Sequence, residues 1–144
     1  MRLWIWSGYE DNRKSAMLDS RTKIVPPEAA PACWRGRDPR PVVVTGYFDP
    51  VVASHVRRLE EIAGSAGRLL VLVHSPEDPI LPLEARAQLV AGLRVVEAVV
   101  PCSKEELEGL LNQLREAKVV TEERGDLDRR ADLVRHVRER WNAG

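Results

Sequence analysis

The stretch GYFDPVVASH, residues 46–55, carries the residue types that could handle a phosphate. Gly46 closes an apolar run, and a glycine there lets backbone N–H groups approach a ligand closely. Pro50 fixes the chain, a helix is predicted from near Ala53, and His55 falls in its first turn. Free N–H groups and the helix dipole favour an anion at such a place. Strand end, glycine turn and histidine together make a candidate phosphate cradle. The plainer reading, a surface or capping histidine, stays open on these residues alone. His74, at another strand end, reads as structural or as a second ligand-facing group. His136 sits among Arg135, Arg138 and Arg140, a run that reads as a solvated helix face. Spacing reveals no Ser/His/Asp set and no metal-binding cluster.

These residues need a scaffold, and the hydrophobic pattern supplies one. PVVVTG (41–46), RLLVLVHS (68–75), VVEAVVPC (95–102) and the weaker AKVVT (117–121) are continuous apolar runs. Such runs suit strands covered on both faces, as in a parallel sheet. Helical patterns lie between them. Val56, Leu59, Ile62 and Ala63 recur at helical spacing in 53–63, and Leu83, Ala87, Val90 and Leu93 do so in 82–93. Ser103 and Glu106 have capping-box spacing ahead of Leu107, Leu110, Leu111 and Leu114. A last helix is predicted from Gly125-Asp126, with Leu127, Ala131, Val134 and Trp141 inward. Strand and helix in alternation predict one doubly wound, Rossmann-like α/β domain with a parallel sheet over 42–144. Ligands of such sheets bind beyond the carboxyl ends of the strands, where strand order reverses.

Residues 1–41 read differently. Pro26, Pro27, Pro31, Pro39 and Pro41 exclude a regular helix or central strand there. We expect an extension over 1–22 and an irregular lead-in over 23–41 with one helical turn. Trp4, Trp6 and Trp34 are expected to cover local apolar surface, or a partner subunit.

The 22 basic residues balance the 22 acidic ones, which gives no electrostatic case for nucleic acid or an anionic membrane as partner. No stretch approaches the roughly 20 apolar residues of a membrane span. The two cysteines, Cys33 and Cys102, read as reduced thiols. A cytoplasmic protein is expected.

Gly46, Phe48, Asp49 and His55, followed by VRRLEEIA, resemble the nucleotidyltransferase superfamily with the paired-histidine HxGH motif. The likeness is greatest to its cytidylyltransferase-like group of heptose-phosphate adenylyltransferases and glycerol-phosphate cytidylyltransferases. LEARAQLVAGLRVVEAVVP resembles that group's second helix and third strand, with Glu84 and Arg86 where a Glu-x-Arg or Glu-Arg pair is usual. SRTKIVPPEA (20–29) resembles the lead-in of heptose-type members. The resemblance covers 42–101 and is thin elsewhere. It implies transfer of AMP or CMP from ATP or CTP, with Mg²⁺, to a phosphorylated sugar or polyol, releasing pyrophosphate. It implies His55 as the catalytic hydrogen-bond donor to phosphate oxygens. It also implies Gly46, Tyr47, Phe48, Asp49, Ser54, Arg86 and Thr121 as nucleotide-binding residues, and a possible homodimer.

The chain departs from that pattern at Val52, at Ser54 and in two loops on the far side of the site. Val52 stands where the first motif histidine is expected, and valine donates no hydrogen bond; one lost donor to transition-state charge costs about 10²–10³ in rate. Ser54 replaces the motif glycine. VVTEERGD (119–126) offers the Thr121 hydroxyl, but Glu122 and Glu123 would repel a triphosphate if they faced it, and Arg124 would offset this only in part. The loop HSPEDPILP (74–82) holds Glu77 and Asp78 where heptose-type members carry a lysine. Two functions therefore compete. One is a degenerate relative with weakened or lost transfer that keeps nucleotide or phosphate binding, or a regulatory or interaction role. The other is an active transferase. An unrelated α/β domain is a third reading.

Overall fold

The computed structural model describes residues 19–143. Four strands form one parallel sheet: β1 (Val42–Gly46), β2 (Leu69–Val73), β3 (Val96–Pro101) and β4 (Val119–Thr121), in the spatial order β3-β2-β1-β4. Five α-helices accompany it: α1 (Ala30–Arg35), α2 (Ala53–Ala63), α3 (Leu83–Ala91), α4 (Lys104–Gln113) and α5 (Glu123–Ala143). This is the expected α/β class. The strands step outward from β1 through β2 to β3, and the chain then returns to place β4 on the far side of β1. Strand order thus reverses between β1 and β4, which puts the ligand crevice at the ends of those two strands.

The apolar runs form strands because both sheet faces are covered. One face packs Val44, Leu69, Val71 and Val99 beneath Leu59 and Ala63 of α2 and Ala87 and Val90 of α3. The other packs Val43, Leu70, Leu72 and Val100 beneath Trp34 of α1 and Leu107, Leu110 and Leu114 of α4. All five β2 residues are buried, as suits the strand inside β1 and β3. At α4 the predicted capping box is present: Glu106 N donates to Ser103 Oγ at 3.1 Å, and Ser103 N donates to Glu106 Oε1 at 2.9 Å.

The lead-in is more regular than its prolines suggest. Two 3₁₀ turns, Ser20–Lys23 and Pro27–Ala29, precede the six-residue helix α1. Pro31 falls in the first turn of α1, where no intrahelical donor is missed. Val25 N donates to Val99 O at 2.9 Å, so the lead-in extends the β3 edge of the sheet. Trp34 is buried, donates Nε1–H to Pro41 O at 2.9 Å, and carries the Arg40 guanidinium over its ring. Trp4 and Trp6 lie outside the described residues.

Helix α5 departs from expectation. It starts at Glu123, and its predicted inward stripe faces out: Leu127 is 46% and Trp141 84% exposed. The face turned to the body is polar, with Asp126 buried and Arg129 and Arg130 partly so. Among the described residues no helix is long and apolar enough to cross a membrane.

Candidate phosphate cradle and its internal carboxylate

Gly46 ends β1 and the chain turns sharply at Phe48, whose φ of +49° is left-handed although it is not glycine. Such a conformation costs energy, and the surroundings must hold it. Phe48 is fully buried, with its ring 5.3 Å from the His55 ring. The turn aims two successive amides at one point, a nest of the kind that binds anions. A Cβ on Gly46 would lie 2.6 Å from the oxygen held there, so only glycine permits the approach.

His55 is placed by the first turn of α2. Its Nδ1 accepts from Val52 N at 3.0 Å, which leaves the proton on Nε2. Nε2 points to the same place as the two amides. The occupant of that place is the chain's own Asp126. Its Oδ2 accepts from Tyr47 N at 2.7 Å and Phe48 N at 3.1 Å, and its Oδ1 accepts from His55 Nε2 at 2.6 Å. Arg129 Nη1 adds a fourth donor to Oδ1 at 3.2 Å. Charge-assisted hydrogen bonds of this kind are the strong ones.

The two glutamates beside it do not point into the cradle. Glu122 is buried and takes a two-pronged grip from Arg58, at 3.2 Å on each oxygen, with Arg129 at 3.5 Å. Glu123 accepts from His74 Nε2 at 2.8 Å. Burial alone would raise the Glu123 carboxyl, but hydrogen bonding, His74 foremost, outweighs it and holds the group below its ordinary value. His74 also lies against Tyr47, with ring centroids 4.8 Å apart, and does not fill the gap left at Val52. Burial, and then Glu123, Asp126 and Glu77, push the Tyr47 phenol above its usual value, a sign of the negative potential at the mouth.

Of the residues singled out from sequence, Gly46, Tyr47, Phe48 and His55 converge on the cradle. Asp49 and Arg86 stand behind it as fasteners. Buried Asp49 accepts from Ile80 N at 2.6 Å and Leu81 N at 2.8 Å, tying down the loop after β2. Fully buried Arg86 donates to Leu81 O, Tyr47 O, His74 O and Ser75 Oγ, four of the five N–H bonds of a guanidinium. Burial lowers its pKa, and Asp49 counters this in part. Ser54 and Val52 line a shallow hollow against Arg129, Asp132, Leu133 and His136 of α5. Thr121 is exposed at the end of β4. Asp126 and Arg129 are the site residues that sequence reasoning missed. An acid in the first turn of a helix is common, and its partner His55 lies 71 positions away.

A parallel sheet with a nest of amides at its switch point is the architecture of a phosphate-handling domain. Known proteins agree. A D-beta-D-heptose 1-phosphate adenylyltransferase of Bordetella bronchiseptica is 32% identical over 127 residues, which cover 81% of this chain and 74% of that enzyme. The bifunctional protein HldE of Koribacter versatilis is 35% identical over 78 residues, 48% of this chain and 16% of that protein. HldE of Aliivibrio fischeri is 34% identical over 89 residues, 56% of this chain and 19% of its own length. The chain thus spans less than a fifth of either of these bifunctional relatives. No family model matches the sequence. The chain belongs to the cytidylyltransferase-like nucleotidyltransferases, the family of the heptose 1-phosphate adenylyltransferases.

Proposed function

We propose that this protein binds the phosphates of a nucleotide or phosphorylated small molecule in the cytoplasm, with nucleotidyl transfer weakened or lost. The observation that carries this is the pairing of a kept cradle with a missing donor. Tyr47 N, Phe48 N and His55 Nε2 converge on one anionic group, while Val52 meets the site with its backbone N–H turned to His55 and a side chain that donates nothing. Binding needs only a good anion seat. Transfer also needs charge stabilisation that grows in the transition state, and the first histidine of the pair, absent at Val52, would supply it.

The seat fits a phosphate oxygen in size and polarity, since it already holds a carboxylate oxygen against a glycine with no room for a Cβ. Among the described residues no three His, Cys, Asp or Glu side chains gather to hold a metal. By family resemblance, Mg²⁺ would help to neutralise a bound triphosphate. Cys33 and Cys102 are unpaired, and burial pushes the Cys102 thiol up to about 11, as suits an unreactive thiol in a reducing compartment. Homodimer formation remains part of the proposal by family resemblance alone.

Thermal-shift and calorimetric titrations with ATP, CTP and GTP, each with Mg²⁺, test the binding half. One triphosphate should raise the melting temperature, and His55→Ala should abolish that rise. No response to any triphosphate, nor to a panel of sugar and polyol phosphates, would refute the reading.

A further inference from the structure

We infer that the first turns of α5 are an internal gate on the cradle: Asp126 occupies the seat of a ligand phosphate, and the seat opens only when that carboxylate withdraws. This rests on the phosphate-binding reading above and adds a regulation to it.

The cradle is full. Both Asp126 oxygens are engaged, Oδ2 by the amides of Tyr47 and Phe48 and Oδ1 by His55 and Arg129. The side chain is buried, so no second anion can share those donors. Two negative groups at one site repel, which makes occupation exclusive.

The element that brings Asp126 is fastened in an exchangeable way. Helix α5 buries no apolar residue; its one fully buried side chain is Asp126. Its ties to the body are mainly polar: Glu123 to His74, Arg129 to Glu122, and Arg130 to Asp49 and the Asp78 carbonyl, with Leu133 half-buried near Val52. Water can replace such ties as it cannot replace an apolar core. Withdrawal would strand the two amides and His55 unless another anion took the place. A phosphate group offers at least as much negative charge and more acceptor oxygens. Ligand and Asp126 therefore compete, and the ligand selects the open state.

The consequence is quantitative. An anion's apparent affinity falls by the fraction of molecules that are open. Asp126→Ala, and the near-isosteric Asp126→Asn, should bind sodium tripolyphosphate at least about tenfold more tightly than the parent chain. Asp128→Asn removes an equal charge from the same helix outside the cradle and should leave affinity within about twofold of the parent. In the parent chain, tripolyphosphate should slow amide hydrogen exchange at Tyr47 and Phe48 and speed it across residues 123–130.

Equal affinity in the parent and both Asp126 variants, or equal tightening by Asp128→Asn, would overturn the gate and leave phosphate binding intact. Failure of every protein to bind would overturn the phosphate reading, and the gate with it. If the Asp126 variants do not fold, exchange in the parent decides. Binding with unchanged exchange at 123–130 would overturn the gate.

Discussion

Gly46 answers to two demands at once, a tight turn and a close anion. A Cβ there would meet Asp126 Oδ2 at 2.6 Å and the Phe48 ring at 2.7 Å. Neither neighbour can move freely, because Phe48 is buried and Asp126 is held by four donors. Gly46→Ala should therefore destabilise the fold by about 1–3 kcal/mol, as overpacking of a tight site does. Urea unfolding would check this, and an unchanged midpoint would show that the turn relaxes. At this scale the sequence was informative about half of the site. Gly46 and His55 are legible because a strand end, a turn and a helix start are local patterns. Asp126 is not, because its meaning comes from a contact across 71 positions. Asp49 and Arg86 were expected at the ligand; the structure shows both engaged with backbone groups of the flanking loops.

Among the elements, α4 and α5 mark the limits of pattern reading. The Ser103–Glu106 box announces α4 because both partners lie within one helical turn. The apolar stripe of α5 has a helical period too, but a period does not say which side faces the body. Here the polar side wins, because Glu123 and Asp126 find partners at the ends of β2 and β1, and Glu122, just ahead of the helix, pairs with Arg58 of α2. The attachment of α5 should therefore respond to pH. The folded-state pKa of Glu123 is depressed, so its contribution is present above the unfolded value and lost as pH falls through the folded value. Glu123→Gln should melt below the parent at pH 7, and the gap should close as the pH drops below about 4. A gap that persists unchanged into acid would show that Glu123 acts by packing rather than by charge.

For the whole molecule, the apolar runs at 41–46, 68–75 and 95–102 were enough to predict the parallel sheet, because strands covered on both faces leave continuous apolar segments, while the exposed edge strand within 117–121 leaves a weaker one. Their spatial order is not written in any one run. It follows from the return of the chain to the far side of β1, and that return builds the crevice. The protein has its family's scaffold. On the proposed reading, Val52 and Ser54 limit transfer, and Asp126 in the seat limits access. The most direct measurement is pyrophosphate release from ATP or CTP with Mg²⁺ and a panel of sugar and polyol phosphates, by the parent chain and by Val52→His with Ser54→Gly. We predict no release above background from the parent and clear release from the double variant, because restoring one preorganised donor raises the rate by about 10²–10³. Release by the parent that disappears in His55→Ala would contradict this account and establish a working transferase.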